Sequence, residues 1–235
     1  RGGSTSNNIV VISKGLRNLG NTCYVNAQLQ CAFHIPYIRS LILSTDKDDE
    51  KMEPGLQGLR YVFKNMLDES SSSARTTASP DYLCRVLGIN PMEQQDTQEF
   101  WKLLLPQLKL QKLIDSYTGS YEDYIVACDG TDRSRRREEP FLDLSLEVDG
   151  FGCVMDSLRN MFNAPELLSV AEGNGWRPPV ADSSNKNNIK VDALKGQLLR
   201  AQGLPPLLQL HLKRFRYDWQ TDVTTKINSK FTFPE

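Results

Sequence analysis

The chain has 235 residues, with 28 Lys plus Arg against 29 Asp plus Glu and 39% hydrophobic residues, which excludes a collagen-like repeat, a charged disordered tail and a small disulfide scaffold. It is long enough for one large soluble domain or two small ones. A formal net charge of -1 supplies no whole-molecule attraction to nucleic acid or an anionic membrane, and no run approaches the length of a transmembrane helix.

Residues 1–14 are polar at their start and read as a flexible N-terminal segment, unlike a signal peptide. Gly15, Asn18, Gly20, Asn21 and Thr22 then form a loop, after which Val25, Leu29, Ala32 and Phe33 recur at the spacing of a helix with one buried face. Asn21 or Thr22 is the expected N-cap, placing Cys23 in the first turn, and Pro36 closes or kinks the helix. Residues 46–53 read as a solvated acidic loop, followed by a helix with Leu56, Leu59, Phe63 and Met66 on one face. A Ser-rich connector at 70–79 leads to Ser79 and Pro80, a cap and N1 pair for a short helix that Gly88 ends. Residues 90–114 read as one long helix burying Phe100, Leu103, Leu104 and Leu108, kinked at Pro106.

Beyond residue 117 the period falls to two. YEDYIVAC is strand-like, and FLDLSLEV sets Leu142, Leu144, Leu146 and Val148 opposite Asp143, Ser145 and Glu147. A helix over Met155 to Phe162 and a Gly, Pro, Ser and Asn-rich stretch at 173–188 precede IKVDALKGQLLR. A strand burying Leu208, Leu210 and Leu212 follows. The expectation is an α+β chain with a helical first half and a β-rich second half.

Five cysteines, odd in number and widely spaced, make a poor disulfide framework and point to a reducing compartment, cytoplasmic or nuclear. Cys31, Cys84 and Cys153 sit among apolar neighbours as expected core residues, and no CxxC pair offers a zinc knuckle. Cys23 differs. At a helix N-terminus, unsatisfied backbone N–H groups and the positive end of the dipole favour a thiolate, and the Asn18 amide, five residues earlier, could donate to an oxyanion forming beside the sulfur. An inert buried thiol and a turn-forming Asn are equally compatible with the local pattern. A cysteine nucleophile also needs a base. The histidines are His34 and His211; eleven residues of helix would put His34 roughly 16 Å along the axis from Cys23, and His211 shares a strand face with Gln209 and Lys213.

Five segments, in order, carry a resemblance: GLRNLGNTCYVNAQLQ, EQQDTQEF, FLDLSLEV, KVDALKG and LPPLLQLHLKRFRYD. Together they resemble the ubiquitin-specific proteases. The resemblance implies a papain-like cysteine protease fold of thumb, fingers and palm, with thumb at 15–118 and fingers plus the first part of the palm at 119–235. It implies hydrolysis after the last glycine of ubiquitin through a thioester, with Cys23 as nucleophile and Asn18 as oxyanion donor. Asp96, Gln98 and Glu99 would bind the basic ubiquitin tail, and Phe215 and Tyr217 would line its channel. Partners would be ubiquitin and ubiquitinated proteins, with no cofactor.

Two departures qualify that expectation. Of the zinc knuckles that many members carry, CDGT at 128–131 keeps only Cys128 and SSNKNN at 183–188 has no cysteine, so no metal is expected, as in the zinc-free branch. The family's catalytic histidine and its Asp or Asn partner lie downstream of the segment matching KINSKFTFPE, so these 235 residues alone are expected to be inactive. The competing expectation is a non-catalytic ubiquitin-binding module. RSRRRE at 133–138 also raises nucleic acid, but it lacks the interleaved aromatics on which bases stack and reads better as a solvated strand face.

Overall fold

The computed structural model describes residues 13–44, 52–67, 77–179 and 189–234. Most of the expected acidic loop, of the Ser-rich connector and of the 173–188 stretch lies outside them. The chain divides into two compact units, Arg1–Ile114 and Asp115–Glu235.

The first unit is helical. It holds α1 (Cys23–His34), α2 (Pro36–Leu43), α3 (Pro54–Leu67), α4 (Asp81–Val86) and α5 (Thr97–Gln107), while α6 (Gln111–Tyr117) straddles the divide. Val25, Leu29 and Phe33 of α1 are fully buried, as are Ile38 and Ile42 of α2 and Leu59, Val62 and Phe63 of α3. Each such side chain contributes about 1.5–3 kcal/mol by leaving water. Phe33 and Phe63 meet edge to face, their centroids 5.2 Å apart. Pro36 ends α1 by starting another helix: it occupies the first turn of α2, where its missing N–H costs nothing, behind an extended Ile35.

Residues 90–114 do not form one helix. Asn90 accepts from the Met92 N–H at 3.1 Å and donates to Glu93 Oε1 at 2.9 Å, holding a turn, so that α5 begins only after Asp96. Pro106 lies one residue from the end of α5 and Lys109 is left-handed at φ 45°, so the proline marks a break between α5 and α6 and not a mid-helix kink. The buried side of α5 is Phe100, Trp101, Leu104 and Leu105; Leu103 is 63% exposed because at 100° per residue it falls on the opposite side.

The second unit carries a four-stranded antiparallel sheet, in the order β2 (Ser134–Phe141), β1 (Gly119–Ala127), β5 (Ala193–Leu198), β4 (Glu166–Leu168). Ile125, Ala127, Ala193 and Trp176 form its buried cluster. FLDLSLEV is divided: Phe141 closes β2, and β3 is Leu144–Glu147, paired in parallel with β6 (Leu210–Lys213). Leu146, Val148, Val154 and Phe231 form a second cluster, with Leu210, Leu212 and Leu158 of α7 (Val154–Asn163) against it. Leu208 lies outside β6 and is 39% exposed, contrary to its expected place in the core. An exposed hairpin joins β7 (Phe215–Asp218) to β8 (Val223–Lys226).

The arginine run lies on edge strand β2 and is answered by acids on β1. Arg136 meets Glu122 at 2.5 Å and Arg135 meets Asp123 at 3.5 Å. A charged edge of this kind discourages pairing with another chain, and its charge is already balanced. Of the three cysteines expected in the core, only Cys84 is buried; Cys31 is exposed and Cys153 half-buried. Cys128 is exposed, and among the described residues no three His, Cys, Asp or Glu side chains gather to hold a metal; residues 183–188 lie outside the described residues. No described helix is long and apolar enough to cross a membrane.

Candidate active site

The loop ahead of Cys23 is anchored at both ends. Arg17 N–H donates to the Ala78 carbonyl and Ala78 N–H to the Gly15 carbonyl, each at 2.9 Å. At the other end Asn21 N–H donates to the Pro91 carbonyl at 2.7 Å, and the Asn21 side-chain amide donates to the Met92 carbonyl at 2.6 Å. Gly20 permits this approach. Its φ is +141°, and a Cβ there would stand 2.9 Å from the Pro91 oxygen.

Within the loop, Asn18 Oδ1 accepts from the N–H groups of Gly20 and Thr22, both at 3.2 Å, and from the Thr22 hydroxyl at 3.1 Å. Backbone N–H groups can only donate, so the oxygen of the Asn18 amide is turned into the loop and Nδ2 is its outward donor. Thr22, wholly buried, also accepts from Leu19 N–H at 3.0 Å. Thr22 occupies the N-cap position of α1 without a side-chain cap bond, because its hydroxyl serves the preceding loop instead. Cys23 is the first residue of α1 and its thiol is exposed. Beside it Tyr24 is buried and meets Phe100 of α5 edge to face at 5.6 Å. Burial first, then the neighbouring Cys84, Glu93 and Cys23, push the Tyr24 phenol above its ordinary value.

Asp96 is the N-cap of α5. Its Oδ1 accepts from Gln98 N–H at 2.6 Å and from Glu99 N–H at 3.3 Å, which holds the carboxylate at the positive end of the helix. Glu99 follows in the first turn and is exposed, and Gln98 is half-buried. Asn18, Cys23, Asp96, Gln98 and Glu99 thus belong to one unit, where the bonds from Asn21 to residues 91 and 92 tie the cysteine loop to the turn leading into Asp96. Asn21, Gly20 and the Tyr24–Phe100 contact are the supports that sequence reading missed; a glycine beside an asparagine signals a turn, not which backbone it approaches.

In the second unit, Phe215 and Tyr217 stand on β7, 66% and 60% exposed. Tyr217 donates to Asp222 Oδ1 at 2.6 Å, and that hydrogen bond, with a lesser share from burial, raises its phenol pKa. His211 Nδ1 lies 3.4 Å from the Ser145 hydroxyl on the neighbouring strand. His34 ends α1, eleven residues from Cys23, with Nε2 3.3 Å from the Ser13 hydroxyl. An imidazole roughly 16 Å along a helix from a thiol cannot exchange a proton with it directly.

Comparison with known proteins places this geometry. A solved structure titled as the SAGA Ubp8/Sgf11/Sus1/Sgf73 DUB module bound to ubiquitin aldehyde superposes with a TM-score of 0.70 at 23% identity, covering 94% of this chain and 51% of that one. That likeness shows the fold, which is α+β and papain-like. Ubiquitin carboxyl-terminal hydrolase 15 of Schizosaccharomyces pombe is 32% identical over 237 residues, covering 94% of this chain and 19% of its own length. Ubiquitin carboxyl-terminal hydrolase 47 of Drosophila melanogaster is also 32% identical, over 240 residues, covering 94% of this chain and 14% of its own length. The chain therefore spans about a fifth or less of these curated relatives. A family model described as ubiquitin carboxyl-terminal hydrolase matches residues 14–235, and with nearly the whole chain inside that match, the protein belongs to the ubiquitin carboxyl-terminal hydrolase family.

Proposed function

We propose that the protein of which these residues form a part is a thiol-dependent deubiquitinase acting on ubiquitin and ubiquitinated proteins in a reducing compartment, cytoplasmic or nuclear. The observation that carries this reading is the pairing of an exposed thiol at the first position of α1 with an Asn18 amide whose oxygen is held by three donors. In this reading a histidine base takes the Cys23 thiol proton, becoming an imidazolium, and the sulfur attacks the carbonyl carbon after ubiquitin's last glycine. The carbonyl oxygen becomes an oxyanion, and Asn18 Nδ2 donates to it. The amine leaves with a proton from the imidazolium, and water then hydrolyses the thioester to release the carboxylate and free Cys23.

The thumb of this reading is residues 15–118, and the fingers and first part of the palm are 119–235. Asp96, Glu99 and Gln98 recognise the arginines of the ubiquitin tail from the head of α5, where the Asp96 carboxylate, fixed by two backbone N–H groups, is pre-organised for a guanidinium group. Phe215 and Tyr217 supply apolar walls for the extended tail. In this reading the general base is the histidine that the family resemblance puts downstream of the segment KINSKFTFPE; His34, eleven residues along α1 from Cys23, is too far to serve. No metal or cofactor takes part.

The test is incubation of the full-length protein with ubiquitin bearing a thiol-reactive group at its C-terminus, read by intact mass. The expected result is one ubiquitin per chain, abolished by Cys23→Ser. Binding of ubiquitin without an adduct would replace the protease reading with that of a non-catalytic ubiquitin-binding module.

A further inference from the structure

Asn26 stands on α1 three residues after Cys23, so the two share one face of the helix. It is tied to the preceding loop twice. Its backbone N–H donates to the Thr22 carbonyl at 3.0 Å, the bond that opens the helix ladder. Its side-chain Nδ2 donates to the Arg17 carbonyl at 3.2 Å. A carbonyl can only accept, so this partner fixes the orientation of the Asn26 amide.

Those two bonds bracket Asn18. The Arg17 carbonyl belongs to the peptide group that joins Arg17 to Asn18, and the Arg17 N–H is held by the Ala78 carbonyl at 2.9 Å. The main chain entering Asn18 is thus fixed on both sides. The Asn18 side-chain oxygen accepts from the Thr22 N–H at 3.2 Å and from the Thr22 hydroxyl at 3.1 Å, and Thr22 is the residue whose carbonyl accepts from Asn26. Main chain and side chain of Asn18 therefore both lead back to Asn26, within one helical turn of Cys23.

The burial of the amide argues in the same direction. Asn26 Oδ1 is shut away from solvent and has no hydrogen-bond partner among the described residues. A buried acceptor left so costs stability, and an apolar side chain would avoid the cost. What the amide supplies in return is the donor to Arg17.

We propose that Asn26 is a positioning residue for the thiol chemistry: by holding the Arg17 carbonyl it sets Asn18 Nδ2 where an oxyanion forming beside Cys23 requires it. The proposal rests on the deubiquitinase reading, in which Asn18 is the oxyanion donor. Such a donor is effective only when aimed beforehand at the place where charge develops, and a small misplacement is costly in rate. Ground-state binding of the ubiquitin tail makes no demand on this donor, so its misplacement lowers kcat and spares KM.

The experiment uses the full-length protein and a ubiquitin–fluorophore substrate, with rates normalised to the fraction of Cys23 captured by a ubiquitin-tail electrophile. Asn26→Ala is expected to lower kcat about tenfold or more, with KM within about twofold of wild type. Asn26→Asp keeps the shape of the side chain and loses the donor; it should lower kcat similarly, and it carries the test should the alanine variant not fold. The decisive measurement is the cycle with Asn18→Ala. Once the Asn18 amide is gone, the Asn26 substitution should cost less than about twofold. Equal losses in both backgrounds would make Asn26 a structural residue and overturn the proposal, as would a kcat within about twofold of wild type or a loss confined to KM. A wild-type protein that forms no adduct and shows no turnover would remove the deubiquitinase reading itself; with wild type active, failure concerns Asn26 alone.

Discussion

The side-chain amide of Asn21 donates to the carbonyl of Met92 at 2.6 Å, joining the loop that ends at Cys23 to the turn that ends at Asp96. The neighbouring Gly20 lets the two backbones come this close. Gly20→Ala should therefore both strain a left-handed φ and push on the Pro91 oxygen, at a cost of about 1–3 kcal/mol. The expected outcome is a lower midpoint of urea unfolding together with slower capture of Cys23 by a ubiquitin-tail electrophile. A normal midpoint and a normal capture rate would show that the loop does not need this contact.

Asp96 is assigned two tasks that substitution can separate. Asp96→Ala removes the cap of α5 and should cost about 1 kcal/mol, or about 2–4 °C in Tm. Asp96→Asn keeps an oxygen for the Gln98 and Glu99 N–H groups and should restore most of that loss. If the carboxylate also recognises a basic tail, the Asn variant of the full-length protein will still show a raised KM for ubiquitin substrates. A KM equal to wild type would reduce Asp96 to a helix cap.

Asn18→Ala tests the oxyanion assignment. Removing one such donor costs about 10²–10³ in kcat. It also removes the acceptor for Gly20, Thr22 and the Thr22 hydroxyl, so some stability goes too. Asn18→Asp keeps the accepting oxygen and loses the donor; a stable fold with kcat lowered to a similar degree is expected. An Asp variant at full rate would sink the assignment.

Cys84 gives a pH prediction. Burial first, then the charge of Asp81, push its thiol up from 9.0 to about 11. The folded state then keeps its proton where the unfolded state has lost it, so the stability contributed by this group is intact below pH 9 and lost as pH rises toward 11. Denaturation midpoints followed from pH 8 to pH 11 should fall less steeply in Cys84→Ala than in wild type. At pH 8, alkylation by iodoacetamide should proceed at the exposed Cys23, Cys31 and Cys128 and spare Cys84 until the protein is unfolded.

Much of this architecture follows from periodicity, and the departures have local causes. The apolar spacing of Val25, Leu29 and Phe33 predicts α1, and the alternation of Leu144, Leu146 and Val148 predicts the buried side of β3, because burial on one face imposes a period that the chain must carry. The long helix over 90–114 is where periodicity misleads. A turn at Asn90, a proline near the end of α5 and a left-handed Lys109 divide it, and the polar QQD segment becomes the entry to a cap.

Residue order alone determined the fold class, the position of Cys23 at a helix start and the family resemblance, since these depend on composition and spacing along the chain. Tertiary structure decided the orientation of the Asn18 amide and the attachment of Asn21 to Met92. The reason is physical. A hydrogen bond spanning 71 residues depends on a distance in space that no local spacing encodes.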